Sequence, residues 1–306
     1  MGNVKQWIVS EPYLKLDCRL GEAPFHERSS HTLRFVDIVK KKLHVIDLEQ
    51  GPSSLKSFDV DAISTTADIE DTADELIVGA KYGYALLARD TGELEYIKRV
   101  WDERDGPDKP ARMRMNDGAC DSQGRYWVGA MNDPNVQTPS NEGVLFRLDP
   151  DMTLHRMLEG VSIPNGMGWS ADDRTFYFTD SPTKNIYKFD YDASTGNISN
   201  REVFFHLEVE NAVPDGFAMD VEGCFWVALC GGGKVLRLSP EGKIIGEVLI
   251  PTRMVSCPAF VDEELFITSA EEEDPDSQPG SVRFGGSLFK VDVGVTGLPL
   301  HKFKRR

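Results

Sequence analysis

The stretch Ile163-Pro-Asn-Gly-Met-Gly-Trp169 has a near copy about 50 residues further along, Val213-Pro-Asp-Gly-Phe-Ala-Met219. Each copy places a side chain with an amide or carboxylate oxygen between proline and glycine, and each is followed by an aromatic strand. A third copy, Met115-Asn-Asp-Gly118, precedes the aromatic strand Arg125–Gly129. A motif that recurs at a fixed interval indicates a fold built from repeated units.

Six segments of the chain share one pattern, in which two short apolar strands flank a polar turn and a further strand usually follows. The positions that we take as equivalent in the six segments are Asp37, Gly79, Gly129, Thr179, Ala228 and Thr268. Four short antiparallel strands in every 40 to 50 residues or so are typical of a β-propeller blade. The sequence therefore predicts an all-β protein, a six-bladed β-propeller that forms a single domain over residues 1–306. The rival architecture is a β-sandwich or a two-domain all-β protein.

A propeller has to close its ring, and two other segments raise separate expectations. We expect Gln6–Val9 or Tyr13–Leu16 to pair with strands of the last blade. The acidic run Glu271–Asp274 is expected to be a solvated hairpin loop within blade six. The basic residues Lys302–Arg306 are expected to be a solvated chain terminus.

Composition excludes several classes of function. The 306 residues carry 34 basic and 50 acidic side chains, for a net charge of −16, which disfavours nucleic acid and anionic membranes as partners. No apolar run reaches the length of about 18 residues that a membrane span needs. The five cysteines form no CxxC pair and the chain start has no apolar leader segment, so a reducing cytosol is the simplest compartment. The oligomeric state stays open between a monomer and a weak homodimer.

Four oxygen-bearing side chains occupy matched positions before the aromatic strands: Glu22, Asn116, Asn165 and Asp215. Blades two and six offer Thr65 or Thr66, and Ser256 or Cys257, instead. The innermost strands of successive blades start near the propeller axis, so residues at matched positions converge. Asn-Gly and Asp-Gly are common turn signals, and one such pair alone would mean little.

Two carboxylates and two amides in one confined pocket require a neutralising charge. A divalent cation supplies it, and oxygen ligands suit Ca²⁺, Mg²⁺ or Mn²⁺, while Zn²⁺ or Fe²⁺ can also be accommodated. The sequence thus predicts one central metal site with Glu22, Asn116, Asn165 and Asp215 as ligands.

Four motifs in this order resemble the SMP-30/gluconolactonase/luciferin-regenerating family, over roughly residues 12–296: Leu20–Pro24, Arg114–Gly118, Pro164–Trp169 and Pro214–Asp220. The resemblance implies a six-bladed propeller with one catalytic divalent metal that hydrolyses aldonolactones such as gluconolactone. It implies that Glu22, Asn165 and Asp215 bind the metal, that Asn116 binds the metal or substrate, and that Arg114 binds substrate. Where many members have acidic residues after Gly-Thr-Met, this chain reads Gly129-Ala-Met-Asn-Asp-Pro134, so substrate choice transfers less well than metal binding.

The chemistry of a lactone suits such a site. A cation on the carbonyl of a ring ester stabilises the oxyanion of the tetrahedral intermediate. Asp215 is our candidate general base for the attacking water, although the adjoining cation tends to lower its pKa, and a metal-bound hydroxide is the competing mechanism. Arg114 would donate hydrogen bonds to substrate hydroxyls or the carbonyl.

Other functions of the same site remain open. The same cation can polarise a P=O group, so a phosphotriesterase is the nearest rival enzyme, and a specialised-metabolite ester or lactone is an alternative substrate. A metal-stabilised propeller that binds without catalysis is the non-enzymatic alternative, because the fold alone does not decide function.

Overall fold

The computed structural model describes residues 4–276 and 278–306, and strands make up most of it. After the N-terminal strand, the other strands form six antiparallel sheets that follow one another along the chain. Blade one contains β2 (Gly21–Glu27), β3 (Thr32–Asp37), β4 (Lys42–Asp47) and β5 (Lys56–Asp59), and blade two contains β6 (Ile63–Ile69), β7 (Thr72–Ala80), β8 (Gly83–Ala88) and β9 (Leu94–Arg99). Blade three contains β10 (Met113–Cys120), β11 (Tyr126–Asn132), β12 (Gly143–Leu148) and β13 (Leu154–Val161). Blade four contains β14 (Pro164–Trp169), β15 (Thr175–Asp180), β16 (Asn185–Asp192) and β17 (Asn197–His206).

The remaining strands are β1 (Lys5–Ile8), which joins blade five; β18 (Val213–Met219), β19 (Phe225–Cys230), β20 (Lys234–Leu238) and β21 (Ile244–Leu249) in blade five; and β22 (Val255–Val261), β23 (Glu264–Ser269) and β24 (Phe289–Asp292) in blade six. The short helices are three 3₁₀ turns at Gly51–Ser54, Glu103–Asp105 and Ser181–Thr183, and α1 (Lys109–Arg112) and α2 (Pro279–Val282). Six consecutive sheets with this strand order confirm the predicted six-bladed β-propeller. None of the helices in the described ranges has the length and apolar character to cross a bilayer.

The blades stack through strands that are buried on both faces. Every residue of β11 and of β12 is buried, which explains why the middle strands lack a clear alternation of apolar and polar residues. Between blades three and four, Trp127 packs against Trp169, Phe176 and Tyr191, with ring centroids 5.1 to 6.2 Å apart. Large aromatic side chains thus pack blades three and four against each other.

The turn before two of the aromatic strands is built in the same way. The indole nitrogens of Trp127 and Trp226 each donate to the aspartate six residues earlier, Asp121 and Asp220, at 3.0 Å. A buried indole N–H needs such a partner. Each turn also contains a glycine with positive φ, Gly124 at 81° and Gly223 at 76°, a conformation that side chains disfavour.

The chain packs as two compact halves, one made of residues 1–58 and 204–298 and the other of residues 59–203 and 299–306. The first half contains most of blades one, five and six, and the second contains most of blades two, three and four. That the whole chain forms one domain stays a prediction.

The N-terminal residues serve two blades rather than one. Gln6 lies in β1, which pairs in parallel with β21 of blade five, so the expectation that Gln6–Val9 pairs with the last blade is wrong. The alternative segment does reach blade six, because Leu14 and Leu288 exchange backbone hydrogen bonds of 3.0 Å beside β24. A backbone bridge from the other end of the sequence therefore joins the last blade, as predicted for Tyr13–Leu16.

The C-terminal residues are docked, which corrects the expectation of a solvated terminus. Phe303 is fully buried and pairs in parallel with β6, where its N–H donates to Asp68 O at 2.8 Å and its carbonyl accepts from Glu70 N at 2.9 Å. Lys304 N donates to Gly124 O at 3.0 Å. The basic side chains flank a phenylalanine that becomes buried, whereas the charges of the segment alone predict a solvated terminus.

The acidic run in blade six is not wholly solvated either. The Glu272 side chain is 1% exposed and accepts from Arg253 Nη2 at 2.6 Å. On the far side of the loop, Ser281 Oγ contacts Thr252 Oγ1 at 3.0 Å. Both ends of the loop are thus tied to the segment before β22.

Candidate metal centre

The first strand of each blade is irregular at one common place. The register shifts lie between Glu22 and Phe25, Ile63 and Thr65, Met115 and Gly118, Asn165 and Met167, Pro214 and Phe217, and Val255 and Pro258. Such bulges redirect side chains and are common beside active sites. We name the residues at this place the ring positions: Glu22, Ser64, Asn116, Asn165, Asp215 and Ser256. The four candidate ligands therefore do occupy equivalent positions.

The register corrects two details of the sequence comparison and decides a third. The ring position of blade two is Ser64, not Thr65 or Thr66. In blade six it is Ser256, one of the two residues that the sequence offered. In blade one the equivalent of Gly129 is Val36, which pairs with Glu22, not Asp37. The bulges cause these errors of one residue, because an inserted residue shifts the count along the strand.

The two serines at ring positions hold the next blade. Ser64 Oγ donates to Asn116 O at 2.7 Å, and Ser256 Oγ donates to Gly21 O at 2.6 Å. Each hydroxyl is thereby committed to the backbone of a neighbouring first strand. Through these bonds the two serines hold the backbone at Asn116 and next to Glu22.

In the half that contains blades two to four, Asn116 and Asn165 are in direct contact. Asn116 Nδ2 donates to Asn165 Oδ1 and to Pro164 O, both at 2.8 Å. Arg114 Nη1 donates to Asn116 Oδ1 at 2.7 Å. Gly129 makes this approach possible, since a Cβ there would clash with the Pro164 ring.

The amide of Asn165 has a further partner that the sequence did not reveal. Its Nδ2 donates to Ser181 Oγ at 2.8 Å, and Ser181 is 2% exposed. Ser181 follows β15 directly and lies 16 residues from Asn165. The repeat pattern carried no signal for it, because Ser181 lies beyond the strands that were compared between blades.

In the half that contains blades one, five and six, Glu22 and Asp215 are both buried, at 9% and 7% exposure. Burial raises the pKa of the Cys230 thiol well above its usual value, and the nearby carboxylates of Asp215, Glu273 and Glu22 add to the effect. The candidate carboxylates therefore share one neighbourhood with a negative potential, which favours a cation.

Asp117, next to Asn116 in the bulge of β10, also has a perturbed carboxyl group. Burial raises its pKa to about 6, against the effect of a 2.7 Å hydrogen bond from Gly118 N. Perturbed carboxyl groups cluster at functional sites. Within the Asn-Asp-Gly triplet, the repeat pattern predicted a role only for Asn116.

A second acidic group, Asp220 with Glu222 and Cys224, brings three possible ligand atoms close together. Arg237 Nη2 already donates to Asp220 Oδ2 at 2.7 Å and to Glu222 Oε2 at 2.6 Å. Because a guanidinium neutralises these carboxylates, the group stabilises a turn of blade five and is not the centre that the sequence predicts.

The amide pair is thus in direct contact within its half of the chain, and both candidate carboxylates lie near Cys230 in the other half. That Glu22, Asn116, Asn165 and Asp215 meet at one point stays a prediction.

The fold and these positions define a six-bladed propeller whose bulged first strands present amide and carboxylate oxygens. Residues 20–271 match the SMP-30/Gluconolactonase/LRE-like region, and the chain belongs to this family. The description of the family and the relative provisionally named a lactonase place the chain in a lactonase-like family.

Relatives of known name are similar over nearly their whole length. Regucalcin of Oryctolagus cuniculus is 33% identical, covering 97% of this chain and 98% of the relative. A Bacillus subtilis protein provisionally named a sugar lactone lactonase is 31% identical, covering 93% and 95%. The crystal structure of a calcium-binding regucalcin from Agrobacterium tumefaciens superimposes with a TM-score of 0.85 at 25% identity, covering 99% of both chains.

Proposed function

We propose that this protein is a metal-dependent hydrolase that opens the ring ester of a sugar-acid lactone, with gluconolactone as the reference substrate. The observation that carries the proposal is the contact between Asn116 and Asn165, with Arg114 bound to the same amide. The amide oxygens of this buried pair suit a cation, and the arginine beside them suits a polyhydroxylated substrate. The names of the lactonase and regucalcin relatives support the same reading.

The residues fit a divalent cation. Asn165 Oδ1 accepts one hydrogen bond, and a carbonyl oxygen has two lone pairs. Glu22 and Asp215 supply the negative charge that also acts on Cys230. Oxygen ligands of this kind suit Ca²⁺, Mg²⁺ and Mn²⁺, and also accept Zn²⁺ or Fe²⁺. We propose Glu22, Asn165 and Asp215 as the ligands, with Asn116 as a ligand or substrate contact.

When bound, the cation would act as a Lewis acid that stabilises charge on the lactone carbonyl oxygen. The chain's own residues would do the rest. Asp215 would hold the attacking water and accept its proton at a carboxylate oxygen. Arg114, which Asn116 and the Met115 carbonyl orient through Nη1, would donate hydrogen bonds to the hydroxyls of the substrate and fix its ring.

The test is a metal and substrate panel. Protein stripped of cations is supplied with Ca²⁺, Mg²⁺, Mn²⁺, Zn²⁺ or Fe²⁺ and mixed with aldonolactones of five and six carbons, and a pH indicator follows ring opening. We expect turnover that depends on the added cation. A paraoxon-like phosphotriester under equal metal serves as the comparison. Faster turnover of the phosphotriester would replace the proposed substrate class, and cation binding without turnover of either substrate would favour a binding propeller.

A further inference from the structure

A chain of four polar side chains runs through the half that contains Asn165. Arg114 Nη1 donates to Asn116 Oδ1 at 2.7 Å, Asn116 Nδ2 to Asn165 Oδ1 at 2.8 Å, and Asn165 Nδ2 to Ser181 Oγ at 2.8 Å. Asn116, Asn165 and Ser181 are at most 7% exposed. Hydrogen bonds that share members in a buried site polarise one another.

The groups at the two ends of this series of hydrogen bonds determine which atoms donate and which accept. A guanidinium can only donate, so the Asn116 atom that faces Arg114 is the oxygen. The nitrogen of the same amide then faces Pro164 O, which can only accept. A second N–H at the adjoining atom of Asn165 would repel Asn116 Nδ2, so that atom is the oxygen as well. The Asn165 nitrogen must consequently point at Ser181.

We propose that Ser181 is a positioning residue for the cation, because its hydroxyl holds Asn165 Nδ2 and so keeps Asn165 Oδ1 turned toward the metal centre. The inference rests on the proposed function. Without an acceptor at Ser181, the buried N–H of Asn165 loses a partner, and an unsatisfied buried donor is unfavourable. The free-energy preference for the orientation with Asn165 Oδ1 toward the cation then becomes smaller. Groups that orient a ligand in this way typically change metal affinity 10–100-fold, on the order of the effect expected here.

A neighbouring threonine shows that a hydroxyl can be buried in β15 without making a hydrogen bond. Thr179 pairs with Asn165 in the sheet and is fully buried, yet its hydroxyl has no hydrogen-bond partner in the part of the chain that the structure describes. Thr179→Val therefore removes a hydroxyl two residues from Ser181 without changing the side-chain volume much. It is a matched control that leaves the Asn165 amide in place.

The experiment measures Mn²⁺ binding to cation-stripped protein by isothermal titration calorimetry, with no turnover involved. We expect Ser181→Ala to raise the dissociation constant about tenfold and Thr179→Val to leave it unchanged. The decisive arm repeats Ser181→Ala in the Asn165→Asp background. A carboxylate has two equivalent oxygens and needs no orienting partner, so the loss should there shrink to below about threefold. Melting temperature without added cation reports whether each variant is folded.

Three results would overturn the inference. An unchanged dissociation constant in Ser181→Ala excludes a positioning role while leaving the proposed function intact. An equal loss in both backgrounds assigns Ser181 to packing alone. If the wild-type protein binds none of the cations, the metal centre itself is wrong, and the inference falls with it.

Discussion

Asp215 and Asn165 hold equivalent positions on the first strands of two blades, yet they differ in one chemical capability. Both side chains offer an oxygen to a cation, but only the carboxylate of Asp215 can also accept a proton at neutral pH. Replacing the carboxylate of Asp215 with an amide, and the amide of Asn165 with a carboxylate, therefore tests cation binding and proton transfer separately.

For Asp215→Asn we expect retention of some metal and loss of most turnover. The amide keeps the size and one oxygen ligand, while loss of a general base typically costs on the order of 10²–10⁴-fold in rate. Lactone hydrolysis and Mn²⁺ binding are measured on the same preparation. A variant that holds its metal and stays near full activity would refute the assignment of Asp215 as the base, and water would then be activated by the cation.

For Asn165→Asp we expect the cation to bind as well as before or more tightly, with a milder loss of rate, about tenfold. An added negative ligand strengthens attraction but reduces the Lewis acidity of the cation. The new carboxylate would still accept from Asn116 Nδ2 and could accept from the Ser181 hydroxyl. Calorimetry gives the affinity and the pH-indicator assay gives the rate. Weaker cation binding in this variant would argue against Asn165 as a ligand.

At the scale of elements, an ion pair with a buried carboxylate holds one end of the loop between β23 and β24. The hydrogen bond from Arg253 lowers the pKa of Glu272 to about 2, and the Glu272 side chain is 1% exposed. A carboxyl whose pKa is lower in the folded than in the unfolded protein contributes stability above its unfolded pKa. That contribution is lost as pH falls through the range from about 4.5 toward 2.

Glu272→Gln is therefore expected to reduce the free energy of unfolding at pH 7 by about 2–3 kcal/mol. The difference from wild type should shrink as pH falls below about 4. Urea unfolding at several pH values measures it. Glu264→Gln is the matched control, because its pair with Lys290 at 2.7 Å is 39% and 35% exposed and should contribute under about 1 kcal/mol. A difference for Glu272→Gln that is constant with pH would contradict the role of the charge.

The elements also show what the sequence could and could not predict. Blade number and the phase of Glu22, Asn116, Asn165 and Asp215 were predictable because each blade repeats the same local order of strand, turn and aromatic strand. Ser64 was missed because a bulge shifts the count by one residue. Ser181 was missed because its contact with Asn165 depends on packing beyond the repeated strands, and no local pattern encodes that contact.

At the scale of the whole molecule, residues distant in sequence complete sheets that the repeats leave open. Leu14 pairs beside β24 near the other end of the chain, and β1 extends the sheet of blade five. Such long-range pairings follow from the strand edges that a repeat array exposes, since an unpaired edge tends to be covered. The sequence therefore predicted that a closing segment was needed, and it predicted the blade correctly for Leu14 but wrongly for β1.

The C-terminal segment makes the last of these long-range pairings, and the buried side chain of Phe303 anchors it. Its side chain is fully buried within the apolar cluster of blades two and three, together with Ile69 and Phe146. Phe303→Ala is expected to lower the free energy of unfolding by about 3–5 kcal/mol, because it leaves a cavity in this cluster. Phe303→Leu keeps most of the volume and should cost less than about 1.5 kcal/mol.

Arg305→Ala tests whether the charge of the segment, rather than the packing of Phe303, stabilises the docked terminus. The ion pair of Arg305 with Glu75 at 3.2 Å is 47% and 35% exposed, so its loss should change the free energy of unfolding by under about 1 kcal/mol. Urea unfolding of the three variants in the absence of added cation measures the ranking. If Arg305→Ala were as destabilising as Phe303→Ala, charge rather than apolar burial would hold the segment. If Phe303→Ala unfolded like wild type, the docked terminus would contribute nothing to the fold.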